Sequence, residues 1–318
     1  MSGIFLMVDG GLRQVAVHID MTQAGRHGYP IARVETEADL HPVREAFTRL
    51  ALALRERTGL PLELAHNCTV TERNLEHVPE ILRWFLEKAE RTRVWRNISF
   101  LPEANTGRTR ISENPVTPER VWMKICEGAG IMLDRNAASL GHPECNNAFL
   151  LIARPSGRVM SALPGDKKSR ALLAEALSAF GAISTMTDDA GTLPYRIAGA
   201  LARHPGLALK LVRRALLLVL RGDLPLEFVR ALLRGRAQTL NTGTHNFMDA
   251  ERVANAPNDP ITRSRLDACV FKGAVKNRAT NEWEAVPMCA MNQNRWGELY
   301  EERLRAGGEI PGAESVVA

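Results

Sequence analysis

The chain has 318 residues, 45% of them apolar and 24% charged, which suits a packed core and excludes a largely disordered protein. The formal charge of +5 is spread along the chain without a basic tail, so no nucleic-acid partner is expected. Residues 1–11 lack the basic start of a signal peptide, and five widely spaced cysteines suit a reducing compartment. With no apolar run of about 18 residues, the expectation is a cytoplasmic protein without a membrane span.

In chain order, residues 12–21 (LRQVAVHIDM) read as a buried strand ending in polar groups, followed by a turn at Gly25 and Gly28. Val43, Phe47, Leu50, Ala51 and Leu54 recur at helical spacing over residues 37–57, and Gly59 stands where a helix C-terminus favours glycine. Residues 62–71 (LELAHNCTVT) form a second strand. Thr71 is placed to cap a helix to residue 89 that carries Leu75, Val78, Ile81, Leu82 and Phe85 on one face. Residues 94–103 (VWRNISFLPE) are a third strand, and Gly107 opens a loop.

This alternation predicts parallel βαβ units. Each strand ends in polar residues: His18, Asp20, Thr22 and Gln23, then Asn67, Thr69 and Thr71, then Ser99 and Glu103. Ligands of parallel sheets and barrels sit at these carboxyl ends. Cys68 alternates with Asn67 and Thr69, so it belongs to the opposite, helix-covered side.

Thr117-Pro118-Glu119 starts a helix to residue 128. Residues 148–153 and 158–163 flank Pro155-Ser156-Gly157 as a hairpin. Residues 166–236 read as four helices punctuated by Gly181, Pro194, Pro205, Gly222 and Pro225. The leucine-rich tract from residue 207 is expected to pack on a core with its arginines reaching outward, so membrane contact is not expected. A second hairpin pairs residues 268–275 with 283–289, and a short helix follows over 296–304.

VAVHIDMTQAGRHGYP, the tract TVTxxNLxxVPxIxxW over residues 69–84, and ISFxPxAxxGRT over residues 98–109 resemble the later strands of a radical S-adenosylmethionine (SAM) barrel. GHPEC (residues 141–145) and CVF…MCAMN (residues 269–292) resemble the cysteine-bearing, SPASM-like extension of such proteins. The resemblance implies an α/β fold. A partial (β/α) barrel of about three parallel units would occupy residues 1–112. A mostly helical extension with β-hairpins would occupy 113–318, helical over 166–236 and with its cysteine-bearing hairpin at 265–292. The family's CxxxCxxC motif and the glycine-rich strand motif for SAM are not in this sequence, which resembles the family from shortly before its fourth strand. A half barrel would leave the strand at 12–21 with an open edge and expose an apolar face.

The intact family arrangement implies SAM and a 4Fe–4S cluster, reductive SAM cleavage, and hydrogen abstraction from a substrate that the sequence does not identify. A separate N-terminal half carrying the cluster motif and a reductant protein would be partners, and the chain alone would be inactive. A truncated gene product, a split enzyme and a non-catalytic binding module or partner subunit stay open. An unrelated α/β enzyme is opposed by the lack of GxSxG, GxGxxG and HExxH.

His18, Asp20, Gln23, Asn67, Thr69, Ser99 and Glu103 are the candidate cofactor-facing residues; the alternative is polar strand ends satisfied by loop amides. Cys269 and Cys289 are equidistant from Ala279 and would face each other in a regular hairpin. With Cys145, and Cys126 or His142 as a further ligand, they could hold an auxiliary iron–sulfur cluster; free buried thiols or a disulfide are the alternatives. His245, in the sequence Thr-His-Asn, is open between a cavity role and a structural one.

Overall fold

The computed structural model describes residues 12–24, 33–105, 115–137, 139–153, 159–161, 166–180, 192–233, 238–277 and 280–295. The expected turns at Gly25–Gly28, Gly107 and Pro155–Gly157, and the helix over 296–304, lie outside these residues.

The protein is a mixed α/β structure around a six-stranded sheet of order β1-β2-β3-β6-β4-β5. Strands β1 (Gln14–His18), β2 (Glu63–Val70), β3 (Trp95–Pro102) and β6 (Gln238–His245) run parallel. Strand β4 (Asn146–Ala153) is antiparallel to β6, and β5 (Val159–Ser161) closes the expected hairpin onto β4. The sheet therefore runs through both halves of the sequence, and β1 lies at its edge. Gly243 of β6 is required by close approach: a Cβ there would collide with the Asn147 carbonyl of β4.

Helices α1 (His41–Thr58), α2 (Val78–Thr92) and α3 (Pro118–Ala129) cover one face of the sheet. Their Leu54, Ile81, Phe85 and Ile125 pack with Leu64, Cys68, Ile98, Phe100, Phe149 and Leu240 from the strands. Gly59 ends α1 at φ 66°, as its place in the sequence predicts, and Thr117 caps α3. Thr71 does not cap α2. Its amide instead donates to Asn74 Oδ1, and a 3-10 turn over Leu75–His77 precedes a helix with Pro79 in its first turn.

The other face alternates out of phase and carries Ala16, His18, Asn67, Thr69, Asn97, Ser99, Asn241 and His245, all half-buried or exposed. The expected uncovered face is thus present, but it is mostly polar over β1, β2, β3 and β6, with Ala65 and Leu101 among the polar positions, and becomes apolar only toward Leu150 and Ile152 of β4. The reason lies in the residues themselves, since Asn and Ser occupy its positions and keep hydrogen-bonding groups available to water.

Beneath β1 lies a buried ionic knot. Arg44 and Glu37 are both fully buried and paired at 2.5 Å. The Arg44 guanidinium also donates to the Ile19 and Glu37 carbonyls, while Glu37 Oε1 accepts from the Met21 amide and Asn74 Nδ2, each at 2.9 Å. Nearby, His66 is fully buried, with Nε2 2.8 Å from the Ile19 carbonyl. Burial and the Arg44 charge pull its pKa well below 6.5. Burial, again with Arg44, lowers His41 to about 4.

Four helices follow as expected, α4 (Lys167–Phe180), α5 (Thr192–Arg203), α6 (Pro205–Leu220) and α7 (Leu226–Leu233). Helix α6 reverses the expected polarity. Arg214 turns inward to Asp166 and Ser169 of the α4 start, whereas Leu209, Val212, Leu216 and Leu220 face outward. The Ser169 hydrogen bonds and the Arg214 guanidinium hold the Asp166 carboxyl down at about 2 against the effect of burial. No described helix is long and apolar enough to cross a membrane. Helices α8 (Ala250–Ala254) and α9 (Pro260–Asp267) lead into the two-stranded sheet of β7 (Lys272–Lys276) and β8 (Trp283–Pro287), followed by α10 (Met288–Arg295).

Two outcomes test this scaffold. Arg44→Met should lower stability by about 3–5 kcal/mol by leaving Glu37 buried without its cation, and adding Glu37→Leu should recover most of that loss in urea unfolding. Because the folded chain holds His41 and His66 neutral while the unfolded chain protonates them below about 6.5, stability should be full above that pH. It should fall as pH drops toward 4, the pKa of His41. His66→Gln should flatten the decline; equal pH dependence in both proteins would refute this account.

Candidate functional site

The carboxyl ends of the parallel strands gather into one rim. After β1, the chain bends at Asp20 into a 3-10 turn over Met21–Gln23, held from below by the Glu37–Arg44 knot. Asp20 is fully buried, and its carboxylate accepts from the Thr22 amide and hydroxyl and from the Thr69 amide on β2. Its Oδ2 stands 2.7 Å from His18 Nε2, which is also 3.0 Å from Thr69 Oγ1. Burial works to raise the Asp20 pKa, but the His18 and Thr22 contacts and the Thr69 amide outweigh it, leaving the carboxyl below the ordinary 3.8.

Three expected residues are therefore brought together, with different duties. Asp20 is satisfied by the Thr22 amide of the turn and the Thr69 amide of β2, and so fixes the β1 and β2 ends to each other. His18, 39% exposed in its side chain, presents the ring edge to the open face. Gln23 is buried and donates to Thr22 Oγ1, which withdraws it from that face. Asn67 and Ser99 are neighbours in register across β2 and β3, both half-buried. Glu103 follows β3, its amide bonded to the Val70 carbonyl.

Sequence reading missed the next strand. Asn241 of β6 donates to Asn97 of β3 at 2.8 Å, extending the polar face by one strand. Beyond it, the Asn105 amide donates to Asp249 and the Ala250 amide to the Asn105 carbonyl, which ties the loops after β3 and β6. The signal for β6 was its three β-branched threonines, but QTLNTGTH holds only one large apolar residue.

The same rim carries the thiols. Cys145 precedes β4, and its carbonyl accepts from Asn246, just past β6. Two residues on, the Met248 amide donates to Cys289 Sγ at 3.5 Å. Cys269, at the end of α9, donates to the Phe271 carbonyl. Burial raises the Cys289 thiol; the Met248 amide and Arg265 oppose this, while Cys145 and Cys269 lie close enough for their charge to add to it. The three cysteines thus lie on neighbouring segments, though not by the expected route. The β7–β8 ladder ends at the Lys272–Pro287 pair, so Cys269 precedes the hairpin and Cys289 sits in α10. The pairing reaches one rung further, where the Met288 amide donates to the Phe271 carbonyl at 2.9 Å, but its register would set Cys269 opposite Ala290 and not Cys289.

Beside the thiols, Arg265 is buried, donating to the Asn246 carbonyl at 2.9 Å, while its Nε has no partner. His142 is half-buried, with Nδ1 accepting from the Glu144 amide. Cys126 is elsewhere: it is buried under α3 in the main core and its sulfur accepts from the Leu133 amide. Cys68 is buried on the helix-covered face, as its alternation implies. His245 packs its ring on Phe271 at 4.7 Å, and burial lowers its pKa. A shallow depression around Met123, Ile131 and Met132 lies beside α3, away from this polar rim. Among the described residues, no three His, Cys, Asp or Glu side chains stand as ligands around one ion.

Asp20→Ala should cost about 3 kcal/mol in urea unfolding, because the Thr22 and Thr69 amides lose a shared buried acceptor. His18→Ala should stay within about 1 kcal/mol, since its pair is partly exposed; the reverse ranking would remove Asp20 from its positioning role. Compared with protein-family models and with curated proteins, the chain matches none.

Proposed function

We propose that this chain is the later portion of a radical SAM-type protein, in which the polar sheet face lines the cavity of a partial β/α barrel. The single observation that carries the reading is the one-sided cover. Helices α1–α3 pack on one face of the parallel strands, whereas the other holds half-buried His, Asn, Thr and Ser side chains. A doubly wound sheet buries both faces and reads as continuous apolar strands; a barrel keeps one face for its interior. The edge position of β1 leaves a place for the strands that a complete barrel requires.

The residues present do not fit the SAM-chelating cluster. The sequence has no CxxxCxxC, and Cys68 and Cys126 are buried in the core. In this reading another polypeptide segment supplies that cluster and its reductant, and this chain supplies the far wall of the cavity. His18, Asn67, Thr69 and Ser99 present hydrogen-bonding groups to SAM and substrate. Lack of the motif equally favours the second reading, a non-catalytic binding module or partner subunit that keeps the same cavity.

In this reading an auxiliary iron–sulfur cluster would be held by Cys145, Cys269 and Cys289. The Met248 amide already donates to one sulfur, and the unpartnered Arg265 Nε–H is a buried donor in electrostatic contact with it. Thiolates of a multi-iron cluster bind different metal atoms and stand farther apart than the ligands of one tetrahedral zinc, so the cluster does not require the three thiols to surround a single ion. Such a cluster would supply electron transfer or substrate ligation at the cavity rim.

After anaerobic reconstitution with iron and sulfide, the chain should hold about one cluster, and Cys145→Ala, Cys269→Ala and Cys289→Ala should each lose most of the iron while Cys126→Ala keeps it. A colourless, iron-free chain would sink the cluster. Calorimetric titration with SAM tests the cavity separately: Asn67→Ala and Ser99→Ala should weaken binding roughly tenfold, and absence of binding by the intact chain would overturn the SAM reading.

A further inference from the structure

We propose that helix α6 docks the protein on an anionic lipid surface. The proposal stands apart from the radical SAM reading. On α6, Leu209, Val212, Leu216 and Leu220 are 70%, 57%, 58% and 81% exposed. At 100° per residue they fall within an arc of roughly 80°. Four large aliphatic side chains aligned on one exposed arc are a stripe, unlike scattered surface leucines.

The opposite side of the helix is accounted for. Leu207 is buried, Arg214 bonds Asp166 and Ser169 of α4, and Lys210 pairs with Glu175. These contacts fix the roll of α6, so the outward leucines do not result from a helix free to rotate. The stripe also keeps its length, because the helix is continuous from Pro205 to Leu220.

Charge selects the occupant. Arg213 lies beside the stripe, and Arg203 and Arg221 flank its two ends, all exposed. From residue 203 to 221 there is no Asp or Glu. Asp223, beyond Arg221, and Glu175, which pairs with Lys210, are acidic groups nearby, so the fringe is cationic in excess. It matches the acyl and phosphate layers of an anionic bilayer, where leucines enter the interface and arginines meet lipid phosphates. A helical face built for a protein partner would more commonly mix charge signs around its rim.

Full-length protein should be sedimented with vesicles of phosphatidylcholine alone and of phosphatidylcholine with phosphatidylserine. The expected result is at least about tenfold stronger binding to the anionic vesicles, weakened as salt screens the arginines. Leu216→Ser with Leu220→Ser should reduce that binding roughly tenfold, and Arg213→Glu should remove most of the anionic preference. Both variants change exposed positions, and unaltered circular dichroism would establish that they fold. Equal partition into both vesicle types, no binding to either, or binding indifferent to the variants would overturn the proposal. So would a concentration-dependent dimer that the same leucine substitutions dissolve, because the stripe would then belong to a second copy of the chain.

Discussion

The Glu37–Arg44 pair is the constraint on which the open face depends. Neither side chain touches water, so each charge has to be satisfied by the other and by nearby backbone groups. Those groups belong to the Ile19–Met21 bend and to Asn74, which lie after β1 and after β2. One ionic contact consequently fixes the exit paths of two neighbouring strands. A hydrophobic pair of similar volume could fill the space, but it would leave the Ile19 carbonyl and Met21 amide to find other partners.

Asp20 stands on top of this knot and turns backbone order into side-chain order. Its oxygens accept amides from the turn after β1 and from β2 and leave one contact for His18, so the imidazole is held at the rim by a fully buried group. A buried carboxylate orienting an exposed imidazole is a general way to present a polar ring in one direction. The same division recurs at the other end of the rim. There, Arg265 holds the Glu144 and Asn246 carbonyls, and these segments carry Cys145 and lead to Met248. From β1 to β6 the two ends are three strand spacings apart, roughly 14 Å, a span suited to one extended ligand or two adjacent groups.

The helical segment follows a different logic. In the sheet, the large apolar residues of β2 and β3 point mainly toward the helices and the polar strand ends toward the open face. In α6 an arginine with two partners shares the inward side with Leu207, and Leu209, Val212, Leu216 and Leu220 are left outside. Its apolar residues occur all around the helix, so periodicity alone could not assign a buried side. The arginine partners settled it: Asp166 and Ser169 lie more than forty residues away in sequence, and only folding brings them to Arg214.

The sequence by itself determined the local elements and the alternation of faces. Strand–helix rhythm, Gly59 at the end of α1 and Thr117 at the start of α3 are set by neighbours a few residues apart, so they were legible. So was the placement of Cys68 on the covered side, since strand alternation needs no partner. Tertiary structure alone decided that β6 enters the sheet, because its stability comes from rungs to β3 and β4 and not from its own apolar content. It also decided which polar residues are scaffold, burying Asp20 and Gln23 and leaving His18 half-open. Finally, it brought Cys145 to Cys269 and Cys289 through the Asn246–Met248 segment. Their spacing suggested a cross-strand pair, whereas the hairpin register is offset by one and Cys289 lies in α10, where its sulfur accepts from the Met248 amide. The Cys145–Asn246 contact joins residues more than a hundred positions apart, and no local periodicity encodes that distance.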